Sequence, residues 1–216
     1  MFRSFARPDV MRNRLVPSVA SGLVASLFAA CTGALLLALP GDADAQAKQA
    51  NPQVTVKTSL GSIVVELYPA KAPKTVQNFL KYVDDGFYNG TVFHRVIGNF
   101  MIQGGGMDKE LNRKETRDPI PLESQNGLTN DLGTIAMART NVPDSATSQF
   151  FINTADNASL NYPSPDGHGY TVFGKVVEGL DTVKKIAGVR TGRRGPHADV
   201  PVEPVTIESV TRVAQR

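Results

Sequence analysis

The feature that most restricts the fold of this chain is an alternation of apolar and polar residues with a period of two. The apolar positions lie on either side of a short turn, at Val54, Val56, Ile63, Val65 and Leu67. This alternation places the apolar side chains on one face of a strand, and two such runs around a turn predict a β-hairpin. The folded part of the chain is therefore expected to begin as an antiparallel sheet with one buried face.

Downstream of this hairpin, the pattern predicts many short strands and only two helices. A helix is expected over 72–85, because Pro73 suits a first helical turn, apolar residues follow at helical spacing and Gly86 suits the end. A second helix is expected over 180–187. The further strand segments are Thr91–Phe93, Val96–Ile97, Phe100–Gln103, Gly133–Ala138, Gln149–Asn153, Thr171–Val176 and Val205–Val213. This arrangement favours an antiparallel barrel or sandwich over an alternating α/β fold.

The first 45 residues differ in composition from the rest. Four arginines lie within the first 14 residues, residues 19–40 are uncharged and rich in Ala, Leu and Val, and small residues follow at Ala43, Ala45 and Ala47. A basic start, an apolar middle and an A-x-A end predict a secretory signal peptide, cleaved after Ala45 or Ala47. The chain then divides into a signal peptide (1–45), a short linker (46–52) and a folded domain (53–216). Retention as a membrane anchor is the alternative, because residues 19–40 are long enough to span a bilayer.

Composition excludes several classes of function. The net charge is only +3, and its basic residues are not gathered in one run, so no nucleic-acid partner is expected. The single cysteine, Cys31, lies in the predicted signal peptide, so the mature chain is expected to form no disulfide. The three histidines are not at metal-ligand spacing, and we expect neither a metal site nor a cofactor. His168 and His197 lie in segments rich in Gly and Pro, where we expect them to face solvent.

Two segments combine residue types that suit peptide binding, FHRVIGNFMIQGG (93–105) and GTIAMARTNVPDSATSQFFIN (133–153). Strand alternation predicts three pairs of residues that share a face, namely Arg95 with Ile97, Met101 with Gln103, and Gln149 with Phe151. An apolar surface with one cation and two amides would suit an extended apolar peptide. Packing of the same apolar residues in an ordinary core is the alternative.

Together with GYTVFGKVVEGL (169–180), these segments resemble the cyclophilin family, in the family's order and at suitable spacing. The resemblance covers residues 53–213 and implies a mainly β fold, a closed eight-stranded antiparallel barrel capped by two α-helices. It also implies a peptidyl-prolyl cis–trans isomerase that acts without a cofactor on proline-containing, unfolded or flexible polypeptides. The wording SATSQFFIN resembles the exported cyclophilins of Gram-negative bacteria. The mature protein is therefore expected to be a periplasmic monomer without stable membrane association.

The resemblance also implies roles for individual residues. Arg95 matches the catalytic arginine, and His94 matches the supporting histidine beside it. The positions that match substrate-binding residues are Phe100, Met101, Gln103, Ala138, Arg139, Gln149, Phe151, Leu160 and Tyr170. Phe151 falls in the hydrophobic seat for proline, and Arg139, where many members have Asn, is expected to act through its backbone. Ser159 stands where the family often carries an aromatic residue, which argues against strong cyclosporin binding.

The chemistry expected of Arg95 follows from the bond that turns. Rotation about an X–Pro bond breaks no covalent bond, so neither a nucleophile nor a proton donor is required. A guanidinium that donates to the twisted prolyl nitrogen, or to the adjoining carbonyl, would stabilise the twisted state more than the planar one. Two alternatives stay open at this point: a peptide-holding chaperone with the same groove and little isomerase activity, and a hydrolase that uses an unrecognised Ser or His.

Overall fold

The structure of the protein is a computed structural model, and it describes residues 51–164 and 166–214. The predicted signal peptide (1–45) and both of its candidate cleavage sites lie outside the described residues. The same holds for Cys31 and for all but the last two residues of the predicted linker.

Within the described residues, the chain forms ten strands and two α-helices. Their order is β1 (Gln53–Thr58), β2 (Gly61–Leu67), α1 (Pro73–Asp84), β3 (Thr91–Ile97), β4 (Met101–Gly104), β5 (Thr134–Met137), β6 (Phe150–Asn153), β7 (Val172–Glu178), α2 (Leu180–Ala187), β8 (Thr191–Arg194), β9 (His197–Pro201) and β10 (Thr206–Arg212). A single 3₁₀ turn at Ala158–Leu160 precedes β7. Neither helix in this part of the chain is long and apolar enough to cross a membrane.

Eight of the strands close into a barrel in the order β1-β10-β3-β4-β6-β5-β7-β2, and each neighbouring pair is antiparallel. Closure leaves no strand edge of the barrel unpaired, which removes a template for aggregation. The predicted mainly β fold, a closed eight-stranded antiparallel barrel with two α-helices, is confirmed.

The barrel core forms from the apolar positions that the alternation predicts. In the β1–β2 hairpin, Val54 pairs with Val65 and Val56 pairs with Ile63, and all four side chains are fully buried. Helix α1 covers this core with its apolar face, on which Phe79 is fully buried among aromatic rings. Burying an aromatic side chain of this size stabilises the fold by roughly 1.5–3 kcal/mol.

A β-bulge at His94 decides the direction in which Arg95 points. Phe93 pairs with Gly104 and Arg95 pairs with Gln103, so His94 is an extra residue without a partner on β4. In an unbroken strand, residues 93 and 95 would share a face. Instead Phe93 lies in the barrel core, whereas the Arg95 side chain is 41% exposed on the outside. The predicted strand segments 91–93 and 96–97 are thus one strand, in which the bulge reverses the alternation.

The two-stranded sheet of β8 and β9 was not predicted from the sequence. This hairpin lies against β3, and Arg194 Nη1 donates to the Lys109 carbonyl at 2.8 Å. Only two of its nine strand residues, Val200 and Pro201, are buried, so its strands carry no apolar alternation that would reveal them. His197, which we expected to face solvent, begins β9 and is half-buried, whereas His168 is exposed as expected.

Candidate active site

A second apolar cluster lies on the outer face of the barrel, separate from the barrel core. We call it the groove cluster. Its buried members are Met101, Ala136, Phe151 and Val172, and the partly buried side chains packed against them are Ile97, Phe100, Leu128, Ala138, Leu160 and Tyr170. The next residues along the same strands, such as Ile102 and Phe150, point into the barrel core. Strand alternation therefore builds two apolar surfaces from one sheet, as the face pairs predicted.

The strand register sets the residues of the groove in a row. Arg95 on β3 lies opposite Gln103 on β4, Gln103 lies opposite Phe151 on β6, and Phe151 lies opposite Ala136 on β5. Neighbouring strands are about 4.8 Å apart. The row therefore places the cation, an amide and the predicted proline seat side by side across four strands.

Arg95 forms the open end of this row. Its nearest acidic partner is Asp199 on β9, with 3.8 Å between Arg95 Nε and Asp199 Oδ2. Asp199 has a left-handed backbone (φ 58°), a conformation that Asp adopts more readily than most residues. Among the described residues, the Arg95 guanidinium donates no hydrogen bond to another protein group, so its N–H groups are available to a ligand.

The amides of the groove form its polar side. Gln103 Nε2 donates to Gln149 Oε1 at 3.0 Å, which joins two of the predicted substrate-binding residues. Beside them lies a polar cavity of about 440 Å³, whose lining also includes Ala138, Arg139 and Arg113. The groove thus continues from an apolar seat into a hydrophilic, positively charged recess.

Arg139 is placed quite differently from Arg95. Its side chain is only 2% exposed. The guanidinium carbon lies 4.5 Å from the centre of the Tyr170 ring, Nε donates to the Gly169 carbonyl at 3.0 Å, and Nη1 donates to the Thr140 carbonyl at 3.0 Å. Nη2 donates to the carboxylate of Asp166. The Arg139 side chain is therefore engaged within the protein, and only its backbone is left to face a peptide.

His94, next to Arg95 in the chain, is buried. Burial lowers the pKa of its imidazole to about 4 from the usual 6.5, because charging a desolvated ring is unfavourable. Neighbouring positive charge, including that of Arg113 and Arg95, lowers the pKa further. The ring is therefore neutral at pH 7, and no second positive charge develops next to Arg95.

The structure brings the predicted residues together at this groove, with His94 behind it and Ser159 exposed at the neighbouring 3₁₀ turn. Sequence reasoning missed two acidic residues, Asp199 and Asp166, which contact Arg95 and Arg139. No periodic pattern identifies either, because each lies far in sequence from its arginine. Within residues 51–164 and 166–214, no group of three or more His, Cys, Asp or Glu side chains is placed to hold a metal ion.

Comparison with known proteins agrees with this geometry. Residues 53–212 match the family model for cyclophilin type peptidyl-prolyl cis-trans isomerases. The chain is 60% identical to peptidyl-prolyl cis-trans isomerase cyp18 of Streptomyces antibioticus, over 72% of this chain and 95% of that protein. It is 57% identical to peptidyl-prolyl cis-trans isomerase B of Escherichia coli, over 73% and 98% of the two chains.

A solved structure shares the fold as well. The crystal structure of a cyclophilin type peptidyl-prolyl cis-trans isomerase from Cryptosporidium parvum superposes with a TM-score of 0.64 at 25% identity, over 77% of this chain and 99% of that one. The family match spans the whole barrel and all three motifs. This chain therefore belongs to the cyclophilin-type peptidyl-prolyl cis–trans isomerases.

Proposed function

We propose that this peptidyl-prolyl cis–trans isomerase accelerates rotation about X–Pro bonds in exported, unfolded or flexible polypeptides, with Arg95 as its catalytic residue. The observation that carries the proposal is the placement of Arg95. Its guanidinium is half-exposed and donates no hydrogen bond within the described residues, and it stands in register with the apolar groove cluster. A cation in this position is open to a bound peptide.

The physical argument starts from the barrier. Delocalisation of the nitrogen lone pair keeps the X–Pro bond planar, and rotation costs about 18–20 kcal/mol. A donor that interacts with the prolyl nitrogen, or with the adjoining carbonyl, favours the twisted state in which that delocalisation is lost. A guanidinium suits this role because it is permanently charged, planar and rich in N–H groups. Arg95 needs no cofactor and forms no covalent intermediate in this scheme.

The other groove residues hold the substrate on either side of the bond that turns. Phe100, Met101 and Phe151, with Leu160 and Tyr170 at the rim, would grip the proline ring in the groove cluster. Gln103 and Gln149 would bind the flanking peptide. The Ala138 N–H is already bonded to the Gln149 carbonyl at 3.0 Å, which leaves the Ala138 carbonyl and the Arg139 backbone for pairing with the peptide backbone. Fixing one side of the bond allows the other side to rotate against it.

The test is exchange between the cis and trans forms of a short peptide with one X–Pro bond, followed by NMR. We expect Arg95→Ala to lower the catalysed exchange rate by about 10²- to 10³-fold, the loss seen when a transition-state donor is removed. Arg212→Ala removes an arginine that forms an ion pair with Asp84, away from the groove, and should keep the wild-type rate.

Three results would count against the proposal. Full exchange by a folded Arg95→Ala protein would remove Arg95 from the mechanism. Binding of the peptide without exchange would favour the peptide-holding chaperone, for which a cation in the groove has no evident use. Cleaved peptide products would favour a hydrolase.

The export part of the proposal rests on the N-terminal sequence. The family match begins at residue 53, and 158 residues of this chain already account for 95% of the Streptomyces relative, so residues 1–45 add a segment beyond the isomerase domain. We propose that this segment is a signal peptide, that residues 46–52 form a linker, and that the domain 53–216 acts in the periplasm as a monomer. Mass spectrometry of the protein from a periplasmic fraction should show a start at Gln46 or Lys48. An intact N-terminus in the membrane fraction would favour the anchor, and sedimentation would test the monomer.

A further inference from the structure

The apolar wall of the groove is tied to a polar network that lies behind it. Phe151 and Tyr170 form an edge-to-face pair, with 5.7 Å between ring centres and 77° between ring planes. The Tyr170 ring also contacts the Arg139 guanidinium, whose central carbon lies 4.5 Å from the ring centre. The Tyr170 N–H also donates to the Leu160 carbonyl at 3.0 Å. Tyr170 therefore stands between the proline seat and a buried cation.

The position of the Arg139 guanidinium is fixed from several directions. It donates to two backbone carbonyls, those of Gly169 and Thr140, and to the Asp166 carboxylate. A planar guanidinium with this many partners can neither rotate nor shift without losing hydrogen bonds in a buried position. The guanidinium is therefore a planar group in a fixed position, and the Tyr170 ring packs against it.

Asp166 is itself held by its own loop. One carboxylate oxygen accepts from Ser164 Oγ at 2.5 Å and from the His168 N–H at 3.0 Å, while the other accepts from Arg139. Hydrogen bonds from Ser164, Arg139 and the His168 backbone hold the pKa of Asp166 well below its usual range. The carboxylate is therefore charged throughout the neutral range, and the loop carries a permanent anchor for the guanidinium.

We infer that Arg139 and Asp166 are positioning residues, which set the place of Tyr170 against Phe151 and so the width of the proline seat. The inference rests on the proposed function of the groove. It assigns the Arg139 side chain a role in addition to the peptide contact expected of its backbone, and it assigns Asp166 a role of its own. Neither side chain need touch the substrate, because both act through the Tyr170 ring.

Two variants test this inference, Asp166→Asn and Arg139→Lys. Asp166→Asn keeps the shape of the side chain and removes the charge that anchors Arg139. Arg139→Lys keeps the charge but loses the planar fork and the stacking on Tyr170. In the exchange assay we expect both to raise KM on the order of tenfold with kcat within about twofold, because a displaced wall weakens binding of ground and transition states alike.

The matched controls are Asp84→Asn and Arg212→Lys. They alter another Asp–Arg pair, with hydrogen bonds of 2.7 Å and 2.6 Å, which joins α1 to β10. Both controls should keep the wild-type KM. A second readout needs no substrate: the nuclear Overhauser contact between the Tyr170 and Phe151 rings should weaken in the two test variants and persist in the controls.

The outcomes separate this inference from the proposed function. An unchanged KM with an unchanged ring contact in both test variants would overturn it. A wild-type KM in Arg139→Lys would also overturn it, because a positive charge alone would then suffice to position Tyr170. If wild type and Arg95→Ala catalyse exchange equally, the catalytic role proposed for Arg95 fails instead. The ring contact still decides the inference in that case.

Discussion

The two arginines of the groove, Arg95 and Arg139, differ in the exposure and in the hydrogen bonding of their side chains. Arg95 is 41% exposed, and its nearest carboxylate, on Asp199, is 3.8 Å away. Arg139 is 2% exposed, stacks on Tyr170 and donates to three protein oxygens. Strands β4 and β6 separate β3, which carries Arg95, from β5, which Arg139 follows.

The difference separates an arginine whose N–H donors are open to a bound peptide from one whose donors are used within the protein. A guanidinium has five N–H donors and no acceptor. Where the protein accepts most of these hydrogen bonds, as around Arg139, the cation serves to fix geometry. Where the donors are left open beside an apolar seat, as at Arg95, they can be used on a bound peptide.

The largest expected effect comes from Arg95→Lys, which keeps the charge at the open position. Lysine lacks the planar fork, so we expect kcat/KM for X–Pro exchange to fall by about 10²- to 10³-fold, which corresponds to about 3–4 kcal/mol. Arg212→Lys serves as the control, and the two proteins should unfold at similar temperatures. A loss of less than threefold in Arg95→Lys would mean that charge, and not donor geometry, is what the open arginine supplies.

Unlike Arg139, Arg95 has a buried, neutral histidine beside it, His94, and we expect this residue to make the stability of the protein depend on pH. The pKa of His94 is about 4 in the folded protein and about 6.5 when unfolded, so the unfolded state binds the proton first. Above pH 6.5 the imidazole is neutral in both states and protonation does not affect stability, whereas stability falls as the pH drops from 6.5 towards 4. This loss amounts to about 3 kcal/mol.

Urea unfolding at pH 7 and pH 4 measures this effect. The loss of unfolding free energy between the two pH values should be smaller in His94→Gln than in wild type by about that amount. His168→Gln, which alters an exposed histidine, should behave as wild type. Equal pH dependence in all three proteins would show that His94 is not held neutral by burial.

The fold was largely predictable from sequence, because alternation reports burial directly. The bounds of α2 (Leu180–Ala187) agree with the predicted segment, and β1 and β2 formed where the pattern placed them. The resemblance supplied the barrel closure, which no local pattern contains. The β8–β9 hairpin was not predicted, because only two of its nine strand residues are buried and they give no periodic signal.

The groove was predictable in its residues but not in its geometry. Simple alternation placed Arg95 with Ile97, yet it would also have placed Arg95 with Phe93, and only the bulge at His94 separates them. The acid partners were invisible for another reason. No local sequence pattern predicts an ion pair between residues that are distant in the chain. Asp199 and Asp166 were therefore identified as partners only from the folded structure.

A smaller expected effect concerns stability and comes from Arg139→Ala. This change removes three hydrogen bonds and the stacking on Tyr170, and it leaves the Gly169 carbonyl without its donor, so we expect a loss of about 2 kcal/mol of unfolding free energy. Arg95→Ala should change the unfolding free energy by less than about 0.5 kcal/mol, as exposed substitutions usually do. Urea unfolding compares the two. Similar losses would contradict the division between a structural and an available arginine.

The smallest expected effect is that of Asp199→Asn, which tests how far the function of Arg95 depends on its ion pair with Asp199. Asn keeps the shape of the side chain and tolerates the left-handed backbone at this position, so the change removes charge alone. Exposed ion pairs contribute about 0.2–1 kcal/mol, which limits the change in kcat/KM to about fivefold. Asp181→Asn is the matched control, since Asp181 pairs with Lys184 at the same distance of 3.8 Å. A loss approaching that of Arg95→Lys would mean that Arg95 depends on its carboxylate as Arg139 does, and the contrast between the two arginines would then lie in exposure alone.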